Sequence, residues 1–434
     1  MKKIICLLLS FAGYTAAYAQ LPGMQWQKPL GGTSEDQATG ITELTDGNYV
    51  VVGISNSNDG DVTGNNGSTD IWMVKLSPDG AVLWKKAFGG SQQDLVEYVA
   101  PTADGGFVIT GATYSTNGDI PPNPPDRNII AAKFDSDGNT LWVKNIVGLN
   151  GQSIVQTSDG GYLMAGERYS PGTNVSYDAL IMKMDANGNS MWQHTYGGPG
   201  LFADVAWRAI ETSDGNYIFG GSSIAGDQSI VPGQGSQDVW IVKLNTTGTV
   251  LWQKLYGTST FDDFNGIAEM PDGGFMVTCS TYGSDGNKSE SFGNEDAWVF
   301  KLNATGDMLW EKSYGNTAAN RTNAIFKTEE GNYMIGGLSD PQDEDPITFA
   351  PGNFWVFEIT DTGTMVAQET YGGSKSDYMF SFYQTSDYSY LLTGWSHSNN
   401  GDVWGNHSTS NGDYWVVKLA ESIPLKVCSE GDTA

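Results

Sequence analysis

The chain has 434 residues, 50 acidic against 22 basic side chains and a formal net charge of −28. Phosphate backbones are held by clustered Lys and Arg, so this balance excludes nucleic acid as a partner and favours cations or neutral ligands. Three cysteines cannot staple a chain of this length, so the core must hold the fold.

The N-terminus reads as an export signal: Lys2 and Lys3, an apolar stretch from Ile4 to Ala12, and small residues ending in Ala17-Tyr18-Ala19. It predicts residues 1–19 as a signal peptide and a secreted or cell-surface protein, exported in the Gram-negative style. The apolar stretch is too short to span a bilayer and no later run approaches the ~20 residues that would be needed, so no transmembrane segment is expected. Cys6 lies ahead of most of the apolar stretch, whereas a lipid-carrying cysteine would follow it, so no lipid anchor is expected either.

The next segment, "MQWQKPLGG" (24–32), is strand-like but has no partner beside it. After it, one unit recurs. A turn marker appears as "TDGNY" at Asp46 and again at Asp104, Asp159, Asp214, Asp272, Glu330 and Asp387, 55 to 58 residues apart. A tryptophan four residues after a turn glycine recurs at Trp84, Trp142, Trp192, Trp252 and Trp310; Ala367 stands in its place once, and Trp26 supplies the seventh position. Periodicity of this length marks a repeat architecture.

Within the first unit, apolar and polar residues alternate in four short runs: "QATGITEL" (37–44), "NYVVVGIS" (48–55), "DIWMVKLS" (70–77) and "VLWKKAFGG" (82–90). Asp-Gly turns supply the positive φ that tight hairpins need. Four antiparallel strands repeated seven times predict an all-β, seven-bladed β-propeller over residues 20–420. The orphan strand around Trp26 is then the fourth strand of the last blade, whose own pattern stops at Lys418, and pairing the chain's two ends closes the ring. Pro29 suits an outer edge, where a missing N–H costs no ladder bond.

The recurring tryptophans are expected to pack between blades. Lys75, Lys133, Lys183, Lys243, Lys301 and Lys418, with Glu358 the exception, are expected to form structural ion pairs or to lay their stems along apolar surface.

The stretch "VKLNTTGTVLWQKLYG" (242–257) resembles the tryptophan-docking repeat of quinoprotein-like propellers and, more closely, the short propeller repeats of secreted bacterial proteins with a D-x-W-x-x-K-L…G…W…Y-G-G pattern. That resemblance spans about residues 24–420 and implies the fold. Many proteins with such repeats carry a C-terminal sorting domain of the type IX system, which would make this chain a fragment. "SPDGAVLW" and "DSDGNTLW" are similar to the Asp-box of sialidases in their place in the hairpin, but the Asp-to-Gly spacing departs from it. The tail, residues 421–434 with Cys428, is similar to the start of an immunoglobulin-like module.

Strand reversal puts the strand-two-to-three loops and the inter-blade connections on one face, and functional residues favour long loops on a rigid scaffold. These loops are rich in Asp, Asn and Gly, including Asp59, Asp61, Asp119, Asp285, Asp343, Asp345 and Asp402. Flexible oxygen ligands of this kind suit Ca²⁺, with Asp59, Asp61 and Asp402 the named metal candidates. Asp36, Asp94, Asp204, Asp262 and Asp377 precede the first strands and are expected near the central channel, where paired carboxylates would serve acid–base chemistry. Histidine is scarce: His194 falls in a fourth strand, and His397 and His407 share a blade. The ligand-binding candidates are therefore Asp36, Asp94 and Asp377, with Trp395, Trp404 and His407 of the least repetitive loop. The expected function is a non-enzymatic binding or adhesion module for a glycan, protein or surface ligand on the acidic long-loop face. The alternatives are a carbohydrate-active or quinoprotein-like enzyme at the channel mouth, or a spacer in a larger surface protein.

Overall fold

The computed structural model describes residues 21–420 apart from 124–126, 171–175, 198–202, 225–232, 234, 294, 329–330, 341–351 and 409. The signal-peptide segment 1–19, the tail 421–434 with Cys428, and Glu330, Asp343 and Asp345 lie outside the described residues.

Period-two alternation and Asp-Gly turns produce seven four-stranded antiparallel sheets. Blade 1 comprises Asp36–Glu43, Tyr49–Ser55, Asp70–Leu76 and Val82–Phe88. Blades 2 to 7 open with the strands Asp94–Pro101, Asn150–Gln156, Asp204–Glu211, Asp262–Glu269, Asn320–Lys327 and Asp377–Gln384. These first strands touch one another in succession around the ring and line the central channel. Third strands are buried throughout, as in "DIWMVKL" and "DVWIVKL", whereas the fourth strands form the outer rim.

The ring closes as the orphan strand predicts. Met24–Leu30 pairs antiparallel with Asp413–Leu419 and completes blade 7, with Pro29 opposite Trp415 in the outermost strand. Closure covers the outer edge of Asp413–Leu419 and leaves Met24–Leu30 as a rim strand like the fourth strand of every other blade.

Neighbouring blades are joined by an aromatic dock. Each recurring tryptophan lies over the turn glycine of the next blade: Trp26 over Gly80, Trp84 over Gly138, Trp142 over Gly188, Trp192 over Gly248, Trp252 over Gly306 and Trp310 over Gly363. These glycines have φ between 71° and 81°, and a Cβ on any of them would meet the indole at 2.9–3.0 Å. Glycine is required twice over, by the left-handed backbone and by the close approach. The indole N–H of Trp26, Trp84, Trp192 and Trp310 also donates to a carbonyl in the same turn, as from Trp26 to Pro78 at 3.0 Å and from Trp310 to Asp361 at 3.1 Å.

Ala367 replaces tryptophan where the next blade has no such turn. Blade 7's third and fourth strands come from opposite ends of the chain, so the place of the turn is taken by residues 21–23. Leu21 and Ala367 join one apolar cluster. Tyr371 donates to the Pro22 carbonyl at 3.2 Å, where Tyr314 of the preceding blade donates to the turn glycine Gly363 at 2.6 Å.

The same tight-turn face is also held by the recurring lysines: Lys75 Nζ and Trp84 Nε1 donate to one carbonyl, that of Ser136, at 2.9 and 3.3 Å. Lys75, Lys133, Lys183 and Lys243 pair with the turn acids Asp46, Asp104, Asp159 and Asp214 at 2.5–3.1 Å. Lys301 instead reaches Asp361 of the following blade at 2.7 Å. Glu358, the exception, accepts a bond from Asn332 Nδ2 at 2.7 Å. The lysine stems are buried and the acids half-exposed, as expected of snorkelling cations.

Two alanine substitutions separate the docking contact from backbone strain. Gly47 has φ 78° and nothing within 4 Å of a would-be Cβ, whereas Gly138 has φ 71° and the Trp84 ring at 3.0 Å. Gly47→Ala should cost about 1–2 kcal/mol, the left-handed penalty alone, and Gly138→Ala clearly more. Equal losses in denaturant unfolding would remove the dock as a constraint.

Candidate ligand site at the channel mouth

The acids that open the first strands do not face the channel. Asp36, Asp94 and Asp377 are fully buried between blades. Each accepts bonds from a Ser or Thr at the end of the second strand, from a Ser two residues on, and from a backbone N–H. For Asp36 these donors are Ser55, Ser57 (2.9 Å) and Gly32 N (2.8 Å); for Asp94, Thr113, Ser115 (2.8 Å) and Gly90 N (2.7 Å); for Asp377, Ser396, Ser398 (2.9 Å) and Gly373 N (2.7 Å). They knit the inter-blade connection to its blade and, unlike the contacts expected of them, do not line the channel cavity described below. Turn chemistry recurs with the repeat, and these residues recur for that reason.

Each buried acid also meets a residue that opens a third strand. A Cβ on Gly31 would lie 2.7 Å from Asp36 Oδ2 and 2.8 Å from Asp413 Oδ1, and one on Gly89 would touch Asp70 and Asp94 in the same way. Burial drives the Asp36 carboxyl up to about 6, Asp413 pushes the same way, and the three hydrogen bonds oppose them.

The loop acids act as staples. Asp59 accepts from both Thr33 N and Thr33 Oγ1 at 2.8 Å. Asn117, Asp285 and Asn400, its counterparts, accept from Ser91, Ser259 and Ser374 N at 2.7–2.9 Å. Asp61 pairs with Lys85 at 3.0 Å, and Asp402 accepts from Gly372 N at 3.1 Å. Among the described residues no group of three or more His, Cys, Asp or Glu side chains is placed to hold a metal ion, and the carboxylates of Asp59, Asp61 and Asp402 are already engaged.

Trp395, Trp404 and His407 are not brought together. Trp395 stacks on Tyr378 at 4.8 Å and lies against His397 at 4.4 Å. His407 Nδ1 is 2.7 Å from Asp413, at the closure seam. Trp404 is 68% exposed, but it sits at the outer rim, where its carbonyl accepts from Gln27 of the outermost strand at 3.1 Å.

A cavity lies elsewhere, in the channel at its long-loop end. It measures about 390 Å³, within the ordinary range of small-ligand sites. Every first strand carries a β-bulge at one level, so that one residue per blade drops out of register. A bulge re-aims the side chain of the extra residue. The seven residues are Thr39, Glu97, Gln152, Trp207, Asn265, Asn323 and Phe380, and all seven line the cavity.

The ring has two kinds of wall. Trp207 and Phe380, 37% and 41% exposed, belong to blades 4 and 7 and so face each other across the channel. Asn265 and Asn323 fill one arc between them; Gln152, Glu97 and Thr39 fill the other. Neighbours hold these groups in place. Trp207 Nε1 donates to Ser222 Oγ at 3.2 Å, Asn265 Oδ1 accepts from Ser280 and Thr322 at 2.9 and 3.1 Å, and Asn323 Nδ2 donates to the Met379 carbonyl. Asn265 thus keeps N–H donors for the cavity and Asn323 keeps an acceptor. Glu97 accepts from Asn150 Nδ2 at 3.0 Å; burial pushes its carboxyl upward, against that bond and the charges of Arg127 and Arg208.

The sequence reading missed this ring. Its signal is a column three residues after the strand-opening acid (Leu149 in blade 3), where an otherwise uniform repeat shows Thr, Glu, Gln, Trp, Asn, Asn and Phe.

Two solved structures match most of this ring. The Pan2 WD40 domain of Neurospora crassa is 8% identical, with a TM-score of 0.52 over 93% of this chain and 99% of that one. The Dos1 propeller is 10% identical, with a TM-score of 0.50 over 92% and 95%. The fold is a seven-bladed β-propeller. A protein of unknown function from Bacteroides caccae aligns at 13% identity over 62% of this chain and 80% of that one, with a TM-score of 0.39. At such identities the likeness carries the fold alone. No protein-family model and no curated protein matches the sequence.

The buried acids give a pH test. The folded chain binds the Asp36 proton more tightly than an unfolded chain with the ordinary value of 3.8. This group's contribution is therefore complete below that value and lost as pH rises through about 6. Blade 6 carries Asn320 at the same position. Asp36→Asn should flatten the decline in melting temperature between pH 4 and 6.5; an unchanged slope would mean that Asp36 ionises without cost.

Proposed function

We propose that this chain is an exported, non-enzymatic binding propeller that holds a glycan, or a protein or surface group bearing one, at the long-loop mouth of its channel. The observation that carries the reading is the bulge ring. Seven backbones take one shape while their side chains differ in charge, size and hydrogen-bonding character. Folding needs account for the shared geometry but not for the divergence. Two aromatic walls with amides between them suit a pyranose, whose apolar faces lie against rings and whose hydroxyls lie at the edge. Glu97 is the only carboxylate among the described cavity-lining residues, whereas glycoside cleavage ordinarily uses two, which favours holding over hydrolysis.

Trp207→Ala and Phe380→Ala test the reading against an array of neutral and acidic oligosaccharides. Each variant should weaken retained sugars at least tenfold while leaving the melting temperature nearly unchanged, because both rings are partly exposed. Binding that survives both changes and disappears in Trp404→Ala would move the site to the rim. Turnover of any bound sugar would restore the enzyme alternative.

A further inference from the structure

We infer that the sugar held at the channel mouth is acidic, carrying a single carboxylate or sulfate ester that Arg208 receives; the inference rests on the mouth being the binding site. Arg208 directly follows the bulge residue Trp207 and lines the same cavity. A cation and the ring's largest aromatic surface therefore arrive together at one edge of the pocket. The guanidinium lies over the Tyr98 ring at 4.2 Å, a contact that orients it without neutralising it.

Its charge enters no ion pair among the described residues, although the Glu97 carboxyl in the same lining feels it. Ion pairs among the described residues engage lysines, Arg321 and histidines, not Arg208, and its buried Nη1 meets no acceptor among them. Glu97, the acid in the same lining, is taken up by Asn150. Burial pushes the Glu97 carboxyl upward, against that bond and the charges of Arg127 and Arg208. A guanidinium held in a part-buried cavity matches the planar fork of a carboxylate or the oxygens of a sulfate. The chain's charge of −28 works against ligands with many negative groups, so one charge on one sugar at the mouth fits better than a polyanion.

Three disaccharides that differ only in the terminal residue decide the matter: glucuronic acid, glucose 6-sulfate or glucose, titrated calorimetrically into the full chain. At least one acidic sugar should bind tenfold or more tighter than the neutral one. Arg208→Gln should remove that difference and Arg208→Lys keep part of it, with melting temperatures showing both variants folded. Which acidic sugar is preferred identifies the anion. Equal binding of all three, insensitive to Arg208→Gln but lost in Trp207→Ala, would overturn the acidic assignment and leave the mouth as the site. Binding of none would overturn the assignment too, and the array with Trp207→Ala would then judge the mouth separately.

Discussion

A ring of seven sheets stands or falls on its interfaces, and the contact that sets them is a tryptophan lying on the next blade's turn glycine. The indole approaches so closely that a methyl group would meet it at about 3 Å, so the distance between blades is set by contact rather than by loop length. The same turn receives the indole N–H and, in the later blades, a tyrosine hydroxyl. The exception supports the rule. Blade 6 faces the only blade whose outer hairpin is open, and there the tryptophan gives way to Ala367, with Leu21 and Pro22 supplying apolar cover and a carbonyl. Closure by Met24–Leu30 is therefore more than a strand pairing, since the same segment carries Trp26 to its dock on Gly80.

At the other end of each interface the problem is charge. A glycine is flanked by two buried side chains, one opening a third strand and one opening the following first strand, and where both are Asp they repel. The blades resolve this differently. Hydroxyl and backbone donors surround Asp36, Asp94 and Asp377, while His407 engages Asp413 at 2.7 Å. Between blades 5 and 6 a fully buried Lys288 pairs with Asp296 at 2.7 Å, and the second acid is replaced by Asn320. Desolvation at such sites exceeds what one hydrogen bond returns. Asp36, Asp94 and Asp377 therefore carry several donors each, and those donors pin the long loops to the ring.

Much of this architecture was legible before any coordinates. Turn markers and tryptophans count the blades independently, and the two incomplete ends predict how the ring closes. The candidate site was not legible, for physical reasons. Asp, Asn and Gly are the residues of calcium loops and also of Asx turns, and composition does not separate the two; nor does it show that Thr33 and Lys85 are the partners of Asp59 and Asp61. Asp36 recurs beside the channel in sequence but lies between blades in space, because the strand pleat turns it away. A β-bulge is a property of two strands, since it exists only where Gly40 pairs with Val52 after Ala38 has paired with Gly53. Reading one strand at a time hides it, and with it the seven side chains it directs into the channel.

The bulge explains how one chain carries a rigid frame and a variable site without conflict. Elsewhere in the first strands a side chain lies against the sheet or against the next blade, and its size is fixed by packing at interior density. The bulged residue is released from the ladder and points into the channel. It can then be Thr in one blade and Trp in another at little cost to the interfaces on either side. Its backbone is nonetheless held by a closed ring, so the side chains arrive at the mouth already positioned, and a ligand need not supply the ordering free energy that a mobile loop would require. The long loops share that face, but their acids are spent on holding it together. The side chains left free to differ are those of the narrow ring they frame.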